Sequence, residues 1–308
     1  MKIVVVGPGA IGCLFAAFLA KSKEEVWLLD HNPERSAKIK ECGISVEGLS
    51  GSWQSRPKAT ANCQEIGKAD LILICVKSFN TKGTIEQIHP LLAQETKILT
   101  LQNGIGNVEI ISELAGQDRV IAGVTNEGAT LNAIGKIRHA GRGETIIGAI
   151  DGKTPVQMRS IREIFNQVGL ECKMSRDIKS LLWSKLIINV GINALSAVTR
   201  LPNGKLIEYE GTRRILRDAV TEAARIAKRK RIKLIFDDPL AKVEAVCEST
   251  QSNLCSMLQD VLGKKRTEID FINGVIVRLA QELGIDVPTN KFLLDLVKTI
   301  ESSYAHGL

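Results

Sequence analysis

The chain has 308 residues, of which 44% are hydrophobic and 24% are charged, and its formal net charge is +7. This length exceeds one ordinary hydrophobic core and predicts two domains of about 150 residues each in a soluble globular protein. Seven cysteines without a C-x-x-C pair predict reduced thiols in the cytoplasm, and they exclude a disulfide framework and a metal site.

The charged and apolar runs exclude two further classes of protein. The densest basic run, residues 225–233 (RIAKRKRIK), has no interleaved aromatic residues, which favours a solvated helix end over a nucleic-acid surface. No stretch is predicted to span a membrane, because the longest apolar run contains Lys185 and two asparagines. No targeting segment is visible ahead of the first strand. The positive charge suits acidic small molecules, such as a dinucleotide and a carboxylate substrate.

The first predicted strand, residues 3–6 (IVVV), runs directly into a glycine loop, residues 7–12 (GPGAIG), and an apolar helix follows. In such a loop Gly7 makes the tight turn, Gly9 admits a pyrophosphate against the backbone, and Gly12 lets the helix pack on the strand. The helix N-terminus faces the phosphate charge. A second strand ends in Asp30, 23 positions after Gly7, and this spacing is typical of a dinucleotide site.

Up to about residue 175, short β runs alternate with helical stretches, as in a doubly wound Rossmann-type sheet. Lys77 follows one continuous apolar strand and Asn103 follows the next. Ligands of such sheets lie outside the carboxyl ends of the strands, so both side chains are expected near the dinucleotide, although Asn103 equally suits an ordinary Asn-Gly turn. The β runs at 120–124, 136–140 and 144–147 are predicted to close this first domain, residues 1–176.

Strand signals vanish from about residue 178, and residues 177–308 are predicted to form an all-helical second domain. Residues 181–193 are apolar on nearly every side, which indicates a helix that is buried all round. Lys185, Asn189 and Asn193 interrupt it at four-residue spacing and therefore share one face. A lone lysine often reaches the surface and a lone asparagine often caps or bends a helix. Three on one stripe are better explained by a polar cleft for a small oxygen-rich ligand.

A second polar cluster lies further along the predicted helical domain. Residues 256–260 (SMLQD) are predicted to end one helix, and residues 267–274 (TEIDFING) open the next. Glu268 and Asp270 point to different faces, so at most one of them enters a cleft. A solvated first-turn acid, which the helix dipole favours, explains Glu268 equally well.

The motifs together resemble the ketopantoate reductases (2-dehydropantoate 2-reductases) over nearly the whole chain. The matching segments are the glycine loop, C-V-K at 75–77, Q-N-G at 102–104, H-A-G-R-G-E at 139–144, W-x-K-x-x-x-N-x-x-x-N at 183–193, S-M-L-Q-D at 256–260 and T-E-I-D at 267–270. The last three segments in combination are quite specific to the family.

The resemblance implies a role for each of these side chains. Lys185 is the proton donor, and Glu268 orients Lys185 and the substrate. Asn189, Asn193 and Ser256 bind the substrate's oxygens, with Asn103 contributing from the nicotinamide side. The residues assigned to the cofactor are Gly7, Gly9, Ala10, Ile11, Gly12, Asp30, His31, Lys77 and Asn103.

The chemistry suits these residue types independently of the resemblance. Reduction of a 2-keto acid needs a hydride at C2 and a proton at its oxygen. An ammonium group can polarise the carbonyl and then donate, and burial lowers its pKa toward neutrality, where it transfers a proton best.

One position departs from the family pattern. The family usually has an arginine where this chain has His31, and that arginine meets the 2′-phosphate of NADPH. The preceding Asp30 is of the type that accepts hydrogen bonds from a free ribose 2′-hydroxyl and repels a phosphate. Arg35 on the following helix is a candidate to compensate. The resemblance therefore implies NADPH, whereas the local chemistry favours NADH.

The resemblance implies reduction of 2-dehydropantoate to (R)-pantoate in pantothenate and coenzyme A biosynthesis, by a monomer or a homodimer. The β-hydroxyacid dehydrogenases also use a Lys-x-x-x-Asn step, but with glycines just before the lysine, and residues 178–184 contain none. A related reductase of another 2-keto acid stays open. A non-catalytic dinucleotide sensor would not need a buried lysine beside two amides.

Overall fold

The computed structural model describes residues 1–306 and separates into two units. Unit 1 contains Met1–Gln102 and Asn107–Ile178. Unit 2 contains Asn103–Gly106 together with the chain from Lys179 onward. The chain therefore divides near residue 178, close to the predicted boundary at 176. The short segment Asn103–Gly106, which the sequence analysis assigned to the first domain, belongs to unit 2.

The main sheet of unit 1 has the strand order β12-β11-β8-β7-β6-β1-β2-β5. All neighbouring strands run parallel except β8 and β11, which are antiparallel. The strands are β1 (Lys2–Val6), β2 (Glu25–Leu29), β5 (Lys58–Thr60), β6 (Ala69–Ile74), β7 (Leu92–Thr100), β8 (Val120–Thr125), β11 (Thr145–Gly148) and β12 (Cys172–Met174). The predicted doubly wound sheet is confirmed.

A second sheet in unit 1, with the order β4-β3-β10-β9, did not emerge from the sequence analysis. Its strands are β3 (Ile44–Gly48), β4 (Trp53–Ser55), β9 (Gly128–Ala133) and β10 (Lys136–Gly141). The predicted strand at 136–140 thus belongs to this separate sheet, where it pairs with β3 in parallel and with β9 in antiparallel orientation.

Five α-helices complete unit 1: α1 (Ala10–Leu19), α2 (Pro33–Cys42), α3 (Thr81–Ile88), α4 (Asn107–Ala115) and α5 (Val156–Gln167). Helix α1 contacts strands of both sheets, and eight of its ten residues are buried. The ring of Phe15 packs on Phe165 of α5 with the centroids 5.6 Å apart. Because α1 is fixed on all sides, its N-terminus is held rigidly at the carboxyl end of β1.

Among its described residues unit 2 contains helices, joined by loops, and no strand, as predicted. Its helices are α6 (Ile178–Thr199), α7 (Lys205–Glu208), α8 (Glu210–Arg229), α9 (Pro239–Ser249), α10 (Ser256–Leu262), α11 (Asn273–Leu283) and α12 (Pro288–Ser302). A 3-10 turn, Ile269–Phe271, precedes α11. The sequence pattern predicts that Thr267 to Gly274 open a regular helix. Instead, Ile272 has φ −112° and ψ −90°, which separates the 3-10 turn from α11.

Helix α6 is long and apolar enough to cross a membrane by length and composition, which the sequence analysis did not expect of any stretch. However, 67% of its most apolar window is buried inside the protein, as in the core helix of a soluble protein. Gly191 lets the neighbouring helices approach closely, because a Cβ atom there would lie 2.7 Å from Val220 of α8 and 2.9 Å from Val243 of α9. Helix α6 is therefore packed as a central element of unit 2.

Candidate active site

The glycine loop joins β1 to α1 in the geometry of a phosphate cradle. Gly7 has φ +98°, a conformation that side chains disfavour, and its N–H donates to the Leu29 carbonyl. Gly9 precedes α1 and is exposed, and a Cβ atom there would meet no atom within 4 Å. No side chain caps the N-terminus of α1. The first-turn amides of Ala10 and Ile11 therefore suit a phosphate ligand.

An open cleft in unit 1 begins at this loop and continues along the carboxyl ends of the strands. Its lining includes Gly7, Leu29, His31, Val76 and Thr84. This is the edge at which open parallel sheets bind nucleotides. The sheet, the loop and the cleft together therefore fit a dinucleotide.

Lys77 follows β6 and is half-buried, at the start of the 3-10 turn Ser78–Asn80. A buried network that the sequence analysis missed holds the backbone on both sides of it. The Gln102 amide donates to the Val76 carbonyl at 2.9 Å, and the Asn107 amide donates to the Ser78 hydroxyl at 3.1 Å. The sequence signal for this network is the position of Gln102, two residues after the end of β7.

Asp30 lies at the end of β2, as predicted, but its carboxylate does not face an open ribose site. It is 2% exposed and accepts a two-pronged contact from Nε and Nη2 of Arg35. This hydrogen bonding raises the pKa of Arg35. Asn32 caps α2 by accepting from the Arg35 N–H, which helps to hold Arg35 beside Asp30. His31 is 73% exposed, and its Nδ1 lies 3.4 Å from Asp30 Oδ1.

In unit 2, Lys185, Asn189 and Asn193 form the stripe that the sequence predicts along α6. Lys185 and Asn189 are half-buried, whereas Asn193 is only 5% exposed. Burial lowers the pKa of Lys185 to about 8, and the negative charge of Glu268 opposes this shift. An amine with a pKa near neutrality transfers protons in either direction.

Glu268 is 5% exposed and lies at the start of the 3-10 turn, so it is not a solvated first-turn acid. Its negative charge raises the pKa of Lys185. Asp270 points elsewhere, because its carboxylate contacts Lys298 Nζ at 2.5 Å. Only one of the two acids therefore occupies the Lys185 site.

Ser256 is the first residue of α10 and is exposed, although the sequence analysis expected residues 256–260 to end a helix. The helix begins there because Cys255 caps it: Cys255 Sγ accepts from the Leu258 N–H at 3.4 Å. The same Sγ donates to the Asn193 carbonyl at 3.6 Å. Ser256 is thereby held near the Asn193 end of the stripe.

Asn103 lies in the unit 2 segment Asn103–Gly106, and this segment is attached to the residues that follow Glu268. The Ile105 N–H donates to the Phe271 carbonyl at 3.1 Å. Gly104 has φ +82°, and a Cβ atom there would lie 2.3 Å from the Phe271 carbonyl oxygen. Among the described residues, no group of three His, Cys, Asp or Glu side chains could hold a metal.

Comparisons with known proteins identify relatives over nearly the whole length. Residues 3–152 match the family profile described as ketopantoate reductase PanE/ApbA, and residues 177–301 match the profile of its C-terminal region. The chain is 37% identical to the 2-dehydropantoate 2-reductase of Pyrococcus horikoshii over 303 residues, which are 98% of both chains.

Solved structures give the same result. A PanE/ApbA family ketopantoate reductase from Ralstonia eutropha is similar with a TM-score of 0.92 and 35% identity, covering 99% of this chain and 100% of that one. D-mandelate dehydrogenase, solved with NADH and anilino(oxo)acetate, is similar with a TM-score of 0.90 and 27% identity, covering 98% and 99%.

Two glycine substitutions separate the folding role of the loop from its binding role. Gly12→Ala should lower the melting temperature, because its Cβ would lie 1.9 Å from the Gly7 carbonyl oxygen, and overpacking costs about 1–3 kcal/mol or more. Gly9→Ala should leave the melting temperature unchanged but weaken dinucleotide binding roughly 10-fold or more, because the methyl group obstructs the pyrophosphate. Thermal melts and calorimetric titration with NADPH and NADH measure both. Unchanged dinucleotide affinity in Gly9→Ala would show that the pyrophosphate does not bind against Gly9.

Proposed function

The chain belongs to the ketopantoate reductase family, and from that premise we propose that it reduces 2-dehydropantoate to (R)-pantoate with a nicotinamide dinucleotide. The observation that carries this proposal is Lys185, a half-buried amine beside Asn189 and Asn193 whose pKa of about 8 is lowered by desolvation and raised by the charge of Glu268. The reaction adds a hydride to C2 of the keto acid and a proton to its oxygen. Of the two, the proton is the part that a protein side chain supplies.

Lys185 polarises the keto oxygen in its ammonium form and then gives that oxygen its proton. Glu268 keeps the ammonium form populated and fixes the direction of the amine. The amides of Asn189 and Asn193 both donate and accept hydrogen bonds, which suits the carboxylate and hydroxyl oxygens of the substrate. Ser256 adds a hydroxyl at the far end of the stripe.

A bound reduced nicotinamide supplies the hydride. The residues of unit 1 fit this cofactor: the uncapped N-terminus of α1 and the open space at Gly9 suit a pyrophosphate. Lys77 and Asn103 are assigned to the nicotinamide end. The protein acts in the cytoplasm as a monomer or a homodimer, and its partner is the small-molecule keto acid.

The cofactor in this proposal is NADPH, although an acid, Asp30, follows β2. Asp30 is 2% exposed and both of its carboxylate oxygens already accept from Arg35, so it is poorly placed to accept from a ribose hydroxyl. The pair is neutral overall, so it does not repel a phosphate as a free Asp30 would. Arg35 is 31% exposed and uses only Nε and Nη2 on Asp30, which leaves Nη1 for a 2′-phosphate.

A second candidate function is reduction of another 2-keto acid. The similarity to D-mandelate dehydrogenase favours it, because that protein has nearly the same fold and was solved with NADH and an oxoacetate ligand. Turnover of 2-dehydropantoate compared with that of phenylglyoxylate, the keto acid corresponding to mandelate, distinguishes the two. A non-catalytic dinucleotide sensor would turn over neither.

Lys185→Ala should lower kcat with 2-dehydropantoate roughly 10²-fold or more, which is the usual contribution of a positioned general acid. Dinucleotide affinity should not change. The matched control is Lys179→Ala, which removes an exposed lysine from the same helix. Near-normal turnover by Lys185→Ala would contradict its assignment as the proton donor.

The pH dependence of kcat/KM should follow the ammonium form of Lys185, which is the form that donates the proton. Because its pKa is lowered to about 8, the ammonium form predominates below pH 8 and is lost above it. Activity should therefore be level below this pH and fall above it. Glu268→Gln removes the charge that raises this pKa, so the fall should move to lower pH. If Glu268→Gln leaves the pH of the fall in activity unchanged, the charge of Glu268 does not set the pKa of Lys185.

Arg35→Ala should lower kcat/KM for NADPH about 10-fold or more, the contribution of one charge-assisted hydrogen bond. The value for NADH should stay level or rise, because Asp30 is released to accept from a ribose hydroxyl. Lys38→Ala, which removes an exposed cation from the same helix, is the control. An equal loss with both cofactors would mean that Arg35 only supports the fold of this region.

A further inference from the structure

Glu268 does not sit on a regular helix, so its position depends on what holds the turn around it. The turn comprises residues 265–271, and inside it Arg266 Nη2 lies 3.6 Å from Asp270 Oδ2. The Ile269 N–H donates to Thr267 Oγ1 at 3.2 Å, and the Phe271 N–H donates to the Glu268 carbonyl at 3.0 Å. Because this turn lies outside a regular helix, its position also depends on the elements packed against it.

Side chains of helix α12 contact this turn on both sides of Glu268. Glu301 Oε1 accepts from the Thr267 N–H at 2.7 Å, immediately before Glu268. Lys298 Nζ donates to Asp270 Oδ2 at 2.5 Å, two residues after it. The Tyr304 hydroxyl donates to the Lys265 carbonyl at 2.9 Å. Two side chains of α12, and that of Tyr304 just beyond its C-terminal end, thus contact the turn.

The Glu301 contact is the least exposed of the ionic ones. Its side chain is 12% exposed, and Thr267 is 1% exposed. A buried N–H that loses its acceptor is costly, so removal of Glu301 would drive the turn to rearrange until the Thr267 N–H finds another acceptor. Glu268 is the residue next to it and would move with it.

We infer that Glu301 and Lys298 are positioning residues for the reduction, acting through the turn that holds Glu268 against Lys185. This inference rests on the proposed function and deepens it. Neither residue touches the reacting atoms. A misplacement of about 1 Å at a catalytic group can reduce a rate about 10²-fold. Contacts that fix the position of Glu268 therefore affect turnover as well as stability.

Glu301→Ala tests the inference, with Glu301→Gln as the rescue and Asp295→Ala as the matched control. The amide of glutamine keeps an oxygen that can accept from the Thr267 N–H, so it preserves position without charge. Asp295 is an exposed acid on the same helix, paired with Lys291 away from the turn. Glu301→Ala should lower kcat with 2-dehydropantoate about 10-fold or more, with dinucleotide affinity unchanged, while Glu301→Gln and Asp295→Ala stay within about threefold of the unaltered protein.

A second readout does not depend on any substrate. The pKa of Lys185 can be measured from its rate of acylation by an amine-reactive reagent across pH, followed at that residue by mass spectrometry. If Glu301→Ala displaces Glu268, the pKa of Lys185 should fall, because the charge that raises it has moved away. Glu301→Gln should restore it. If the unaltered protein fails to reduce 2-dehydropantoate, the proposed function is wrong. The acylation result would still show whether Glu301 positions Glu268.

Lys298→Ala is the second variant, because it removes a half-exposed side chain and should leave the protein folded. It should lower kcat and the pKa of Lys185 in the same direction as Glu301→Ala. An unchanged pKa of Lys185 in both alanine variants would overturn the inference. So would a Glu301→Gln variant that behaves like Glu301→Ala, because the charge of Glu301, and not its hold on Thr267, would then be responsible.

Discussion

The balance of charge at Lys185 is the constraint on which unit 2 depends. Burial alone would drive the amine to its neutral form, whereas a freely paired ammonium would stay near its ordinary pKa of 10.5 and donate poorly. The value of about 8 needs both a helix packed on its other faces and a carboxylate held at a fixed place. The close packing of α6 at Gly191 and the attachments of the turn at Glu268 therefore act on the same quantity, the proton affinity of one nitrogen.

Most of the fold could be predicted because its signals are local. The glycine loop lies between a β-branched strand and an apolar helix, and the stripe on α6 repeats every four residues, so each is visible within a short window. The second sheet carries no such signal. Strand β3 at residues 44–48 pairs with β10 at residues 136–141, and β4 has only three residues. Pairing of short strands about ninety residues apart is decided by tertiary packing.

The site could be predicted only where a residue's role does not depend on a neighbouring side chain that the sequence pattern does not indicate. The sequence rule for an acid at the end of β2 supposes a free carboxylate, and Arg35 removes that condition. Its place beside Asp30 depends on the Asn32 cap and on the direction in which α2 leaves the strand. Ser256 was placed at the wrong end of its helix for a similar reason. Cysteine is an uncommon N-cap, so Cys255 gave no start signal.

The same geometry explains why substrate choice is harder to predict than reaction type. In the proposed mechanism a cation and two amides bind the carboxylate and the keto oxygen, and every 2-keto acid has both groups. Discrimination between substrates must come from contacts with the substituent beyond C2, where a hydrophobic pocket distinguishes one methylene from another by only about 1–3 kcal/mol. A scaffold with this stripe can therefore pass from one 2-keto acid to another through a few apolar changes, while Lys185 and Glu268 keep the same task.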